Sequence, residues 1–301
     1  MRLGEVWGGL KDSNYWYVIP SVALLLVALG LRSLRWQLLF PGATRPPYRP
    51  VLSATVLGQF FNNVLPARAG EAARVIALGR SARTSRSEIL ATVVVERVYD
   101  VLALLVLLFV LLPWLPHVSW LRAAAILAIV FAAITASAIV VLIRFGERPF
   151  RRALRPLAAL PFVAVEHTES AASGLVRGAA ALRDPLLAVV ALVLTFVSWV
   201  VLALSSWLLM LGFDLGLSFL AGVLVSVAVG LSLILPSSPA AVGVFETAAL
   251  VALKAYAVPK TAALSYALVL HAVNFFPYIV LGALVLQGHA LSLRRRDVRE
   301  G

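Results

Sequence analysis

The sequence predicts an all-α polytopic integral membrane protein with about five full spans and two opposed re-entrant, broken-helix hairpins. Three observations carry this prediction. Of the 301 residues, 61% are hydrophobic and 13% charged, whereas soluble domains are roughly 45–50% apolar and about 25% charged. Apolar runs long enough to cross about 30 Å of hydrocarbon recur along the chain. Two further runs are cut by a Leu-Pro step followed by small and polar residues. Proline there removes a backbone donor and disfavours helix in the residue before it.

Taken in order, the first span is Tyr17–Leu34, with no cleavage-site pattern that would make it a signal peptide. The first broken segment follows as Leu52–Leu65, Pro66 and Gly70–Leu78. Full spans then run over Ile89–Leu112, Ala123–Ile143 and Leu186–Leu211. The second broken segment is Phe219–Leu235, Pro236 and Val244–Val258, and the last span is Ala262–Leu286. All of this reads as one transmembrane domain over 1–301. It has a first half at about 15–143, a connector at about 144–184, a second half at about 185–290 and a basic tail at 291–301.

The net charge is +12, and the arginines that supply it cluster between apolar runs, the pattern that orients a membrane protein. Nucleic acid is therefore not an expected partner, and no motif for it is present. Arg32, Arg35, Arg45 and Arg49 flank the first break on one side, and Arg80, Arg83 and Arg86 on the other. Both flanks are assigned to the cytoplasm, so the first break enters and leaves from that face. The Pro113–Leu121 loop has no Lys or Arg and is assigned outside, while Arg144–Asp184 carries seven arginines against four acids and is assigned inside. The second break then enters from outside. The N-terminus is outside and the C-terminus cytoplasmic, in the cytoplasmic (inner) membrane. Within the connector, "RPFRRALRPLAALPF" reads either as an interfacial amphipathic segment or as a plain basic linker.

The two breaks echo each other. "NNVLPARAGEAARVIAL" and "SLILPSSPAAVGVFETAAL" share Leu-Pro, a short spacer, a Gly and Glu close together, and an alanine-rich helix. Entry from opposite faces fits an inverted repeat, and chance likeness between apolar helices is the alternative. A half-helix starting inside the membrane has unpaired N–H groups and a partial positive charge, which favour an anion. Arg68 and Arg74 add charge to the first such end, and Ser237 and Ser238 add hydroxyl donors to the second. Asn62, Asn63, Pro66, Gly70, Pro239 and Gly243 shape the two breaks. Glu71 and Glu246 are either caps for helix starts or functional groups.

The span "VVVERVYDVLALL" places Glu96, Arg97 and Asp100 about 10–17 Å from its start at 1.5 Å per residue. Ionised groups at that depth require partners or water, and the alternative is that the span begins later and the three residues sit at the wet interface. Arg97 and Asp100, three apart, pair on one face, and the remaining negative charge calls for Arg68 or Arg74. In the last span, His271 and Asn274 lie one turn apart beside Pro277. Cysteine is absent, which removes disulfides and thiolate chemistry. The four histidines stand at no metal-ligand spacing, so no metal and no cofactor are expected.

In this order, "LRSLRWQLLF", "GQFFNNVLPARAGEAARVIAL", "ERVYDVLALL" and "LPSSPAAVGVFETAAL" resemble the hallmark segments of the lysylphosphatidylglycerol synthase transmembrane-region family, also called flippase-like or UPF0104. The resemblance covers nearly the whole chain. It implies a lipid-translocating membrane domain, whose relatives flip aminoacylated phosphatidylglycerol or are linked to polyprenol-carried glycans. The family's polar positions fall here on Arg35, Asn62, Pro66, Arg68, Gly70, Glu71, Arg74, Glu96, Arg97, Asp100, Pro236, Pro239, Gly243 and Glu246. Bifunctional members add a soluble aminoacyl-transfer domain after the membrane region. This chain ends at Gly301 with a basic tail, so it is expected not to be an enzyme. Members also start with one more span, and their "PGGxG" is here "PAAVG".

The expected function is that of a lipid flippase-like transporter moving an anionic, aminoacylated or polyprenol-linked head group through a polar cavity between the hairpins. The expected partners are a membrane phospholipid or polyprenol lipid, with a separate lipid-modifying enzyme or glycosyltransferase and a homo-oligomer as further options. No P-loop is present for an ATP-driven step. The alternatives are a secondary transporter of a small solute or ion and, behind it, a head-group-modifying enzyme using Glu71, Glu96 and Asp100.

Overall fold

The computed structural model describes residues 3–66, 69–81, 84–114, 184–233 and 238–300, with isolated helical positions between 126 and 137. Among these residues the chain is helix and connecting turn, with no strand. Three helical segments are long and apolar enough to cross a membrane: Tyr15–Leu38, Pro185–Gly212 and Lys260–Gly288. They match the first, fourth and last spans expected. The third expected span, Ala123–Ile143, and most of the 144–184 connector lie outside the described residues.

The elements in chain order are α1 (Leu3–Lys11), α2 (Val18–Leu38), α3 (Tyr48–Val64), α4 (Gly70–Ser81), α5 (Arg86–Leu111), α6 (Pro185–Gly212), α7 (Phe219–Ser232), α8 (Val244–Lys254) and α9 (Lys260–Glu300). Helix α1 was not anticipated. It packs along α9, where Ser265 Oγ donates to Val6 O at 3.0 Å. Helix α9 runs on to Glu300 through the region expected to be a basic tail, with Pro277 inside it.

Helices α2 and α6 form an antiparallel pair that organises the molecule. Asn14 N donates to Gly212 O at 2.8 Å, Ser21 and Ser205 each donate to the other's carbonyl, and Arg35 Nη1 donates to Thr195 Oγ1 at 3.1 Å. Going up one helix means going down the other. The hydroxyls also return to their own helix, as with Ser21 Oγ to Tyr17 O and Thr195 Oγ1 to Ala191 O, so none is left unpaired in an apolar interior.

Each broken segment yields two short helices. At 1.5 Å per residue, α3 and α4 are about 26 and 18 Å long and α7 and α8 about 21 and 17 Å, all short of a bilayer core. Helix α3 stops where Leu65, the residue before Pro66, takes extended backbone (φ −105°, ψ 148°). Helix α4 then folds back so closely that a Cβ on Gly70 would lie 1.9 Å from Gly58 O and 2.6 Å from Asn62 Oδ1. Only glycine admits that approach. The second break passes through a short turn, Pro239–Ala241, that touches α3. One apolar core unites α5, α6, α7, α8 and α9 around Leu104, Leu209, Leu224, Phe245 and Tyr266. A second sits under the first break around Trp36, Leu39, Phe40, Leu78 and Ile89.

Candidate functional site

The first feature is a closed ion network beneath the first break. Helix α2 places Arg35 three residues before its end, fully buried. Its Nη2 lies 2.8 Å from Glu96 Oε1 and its Nη1 2.7 Å from Asp100 Oδ1. Arg74, on α4, pairs with Glu96 Oε2 and stacks its guanidinium 3.9 Å above the Trp36 ring. Arg97 reaches Glu71 at 2.8 Å and Asp100 at 3.4 Å. The network therefore clamps α2, α4 and α5 together, with Thr195 and Trp199 of α6 completing it. Three carboxylates face three guanidiniums, which is what makes such charges tolerable away from water. The expected Arg97–Asp100 pair is present, and of the two arginines considered for the remaining negative charge it is Arg74 that takes it. Arg68 lies outside the described residues.

The second feature is a cavity of about 170 Å³ between the two breaks. Arg32, Gln59, Asn62 and Asn63 line it from α2 and α3; Trp199, Ser205 and Ser206 from α6; Ser226 from α7; Ser238, Ala240 and Ala241 from the second break; and His271, Asn274 and Tyr278 from α9. Trp199 joins cavity to network. Its indole N–H donates to Asp100 Oδ1 at 3.3 Å, and Arg32 lies 4.5 Å over its ring. Among the described residues Arg32 has no acceptor: its Nε and Nη2 are buried without a hydrogen-bond partner.

Both half-helix starts are occupied by side chains. Gly70 N–H donates to Asn62 Oδ1 at 3.0 Å. Gly243 N–H donates to Glu246 Oε2 at 2.8 Å, so Glu246 caps α8. The bare positive ends suggested by the sequence are thus muted, the second by a carboxylate. The other oxygen of Glu246 lies 2.6 Å from His271 Nδ1, while His271 Nε2 donates to Ala240 O at 3.0 Å. A carbonyl only accepts, so Nε2 carries a proton, and the short Nδ1–carboxylate contact requires another proton between them. The His271 ring is stacked on Phe245 at 4.6 Å. Ala240 and Ala241 sit at φ +56° and +57°, the left-handed region that glycine adopts freely.

A family model described as the lysylphosphatidylglycerol synthase TM region matches residues 1–282. The chain belongs to this family. A curated relative, the UPF0104 membrane protein MJ1078 of Methanocaldococcus jannaschii, is 24% identical over 226 residues, covering 75% of this chain and 92% of the relative. No solved structure matches the chain.

In this family member the residues singled out from the sequence divide into four groups. Arg35, Glu71, Arg74, Glu96, Arg97 and Asp100 form the ion network. Asn62, Asn63, Ser238, His271 and Asn274 line the cavity, with Glu246 directly behind His271. Pro66, Gly70, Pro239 and Gly243 shape the breaks and do not line the cavity; Pro66, Pro239 and Gly243 are exposed. Arg68, Pro236 and Ser237 lie outside the described residues. Arg32, Gln59, Trp199 and Tyr278 were not singled out as site residues. Arg32 was read as part of a loop, whereas helix α2 continues past it to Leu38.

Proposed function

We propose that this family member moves an anionic lipid head group across the cytoplasmic membrane, and that it does so without chemically altering the lipid. The observation that carries this reading is a polar cavity lined by residues of both breaks. A volume of about 170 Å³ is on the scale of a head group, and in this reading the acyl chains stay in the bilayer while the head group passes. In this reading the two breaks are re-entrant hairpins entering from opposite faces, with the N-terminus outside and the C-terminus cytoplasmic. The ion network serves as the rigid wall and the Glu246–His271 pair as the movable one. The membrane lipid is the partner, and a lipid-modifying enzyme or glycosyltransferase would supply or consume it.

The same small volume also favours a second reading, transport of a free solute of head-group size. Reconstitution into vesicles carrying a dithionite-bleachable phospholipid separates the two. Bleaching of inner-leaflet lipid without added ATP supports head-group translocation. Protected inner-leaflet lipid together with solute flux supports the second reading, and recovery of a chemically changed lipid contradicts both.

A further inference from the structure

The polar side chains that line the cavity are not equally engaged. Ser206 bonds Ser226, Asn274 donates to Leu270 O, and His271 is held at both ring nitrogens. Arg32, Gln59 and Tyr278 make no hydrogen bond to protein among the described residues. All three line the same cavity, Arg32 from α2, Gln59 from α3 and Tyr278 from α9.

The charge is equally uneven. Glu71, Glu96 and Asp100 are matched by Arg35, Arg74 and Arg97. The Glu246–His271 pair sums to zero wherever its shared proton sits. Among the described residues Arg32 is left as one positive charge on the cavity wall; its Nε and Nη2 are buried without a partner, which leaves Nη1 toward the cavity. An unmatched charge and unsatisfied donors at such a site are costly.

We infer that Arg32, Gln59 and Tyr278 form an oxyanion subsite for a singly charged phosphodiester. Arg32 offers the N–H groups of Nη1, its one guanidinium nitrogen that is not buried, to the non-bridging oxygens. The Gln59 amide and the Tyr278 hydroxyl supply neutral donors from the facing helices. One negative charge balances the site, which selects a phosphodiester over a diphosphate. This assignment takes its lipid source from the function proposed above.

The test is equilibrium binding of a fluorescent phosphatidylglycerol to the purified full chain in detergent, with three competitors: a diacylglycerol without phosphate, soluble glycerophosphoglycerol and a polyprenyl diphosphate. The wild type should bind phosphatidylglycerol and ignore diacylglycerol. Arg32→Gln should weaken binding by about tenfold or more, Arg32→Lys should restore part of the loss, and Gln59→Leu and Tyr278→Phe should each weaken it by about two- to tenfold. Equal binding of diacylglycerol, unchanged binding by Arg32→Gln, or stronger competition by the diphosphate overturns the subsite. Where Arg32→Gln yields no folded protein, Gln59→Leu and Tyr278→Phe decide, since both leave the charge in place; unchanged binding by both overturns the assignment. If glycerophosphoglycerol binds as well as the lipid and vesicles show no lipid movement, the subsite stands and lipid transport falls. If Arg32→Gln binds and translocates lipid as the wild type does, transport stands and the subsite falls.

Discussion

The two breaks share a sequence pattern but are held by different forces. The first is locked. Gly58 and Gly70 let two backbones touch, Asn62 caps the returning helix, and Arg74 pins that helix to α5 through a buried ion pair. The second is held by apolar packing of α8, with Phe245, Ala249, Ala252 and Leu253 buried in the large core. Its turn runs through two alanines in left-handed backbone, fastened to α9 by Glu246 and His271. One side of the cavity is therefore joined by buried ions, while the other rests on apolar packing, a proton-bridged pair and a turn that its own residues disfavour. A similar motif on each side does not imply the same mechanical role.

The largest expected effect comes from breaking the locked side. Arg35→Met removes the arginine that joins Glu96 to Asp100, leaving Glu96 to Arg74 and Asp100 to Arg97 and Trp199, and should cost about 3–5 kcal/mol, the range for removing one member of a buried ion pair. Thermal unfolding in detergent should show a large drop in Tm or loss of monodisperse protein, and a near-wild-type Tm would contradict the clamp. Gly70→Ala comes next. The added methyl meets Gly58 O, and pushing the hairpin apart should cost about 1–3 kcal/mol by the same assay.

The second break should respond differently. Glu246→Gln keeps an oxygen to cap Gly243 N–H but weakens the link to His271. It should lower Tm modestly, by about 1 kcal/mol, while lipid translocation falls more than stability does. Equal loss in both would make Glu246 a structural cap alone. The matching change on the first break, Glu71→Gln, touches a pair with Arg97 that is partly exposed and should cost about 0.5–1 kcal/mol. The smallest effect is a gain. Ala240→Gly relieves a left-handed alanine, worth about 1–3 kcal/mol, against about 0.4–1 kcal/mol of extra unfolded-state entropy. A slightly higher Tm is expected, and a lower one would mean the turn is not strained.

Much of this was legible in the chain. Apolar run lengths located α2, α6 and the start of α9, and Leu-Pro located both breaks, because hydrophobic period and proline chemistry act locally. Glu96, Arg97 and Asp100 stood out because charge is costly inside an apolar helix, and the three-residue spacing was enough to pair Arg97 with Asp100. What remained hidden depends on contacts far apart in the sequence. The Glu246–His271 pair joins α8 to α9, and Glu71 finds Arg97 on another helix. Arg32 was read only as a loop charge that orients the protein, and Arg35 entered the site through the family resemblance alone. In "LRSLRWQLLF" the three-residue spacing puts both on one helical face, the signal that α2 had not yet ended. Gln59 and Tyr278 carried no signal, since each becomes notable only when its neighbours prove to be engaged.

The central claim is that one cavity, lined by both breaks, is the path of the lipid head group. The chain has no cysteine, so single cysteines can be placed cleanly. The most direct measurement is dithionite bleaching of a fluorescent phospholipid in vesicles, before and after a bulky thiol reagent is attached at Asn63→Cys, Ser238→Cys or the outward-facing Val193→Cys. The first two line the cavity from opposite breaks, and Val193 is exposed on α6. The account predicts that labelling either cavity position protects inner-leaflet lipid, while labelling position 193 does not. Translocation that persists with both cavity positions blocked, or that stops equally with position 193 blocked, would contradict it.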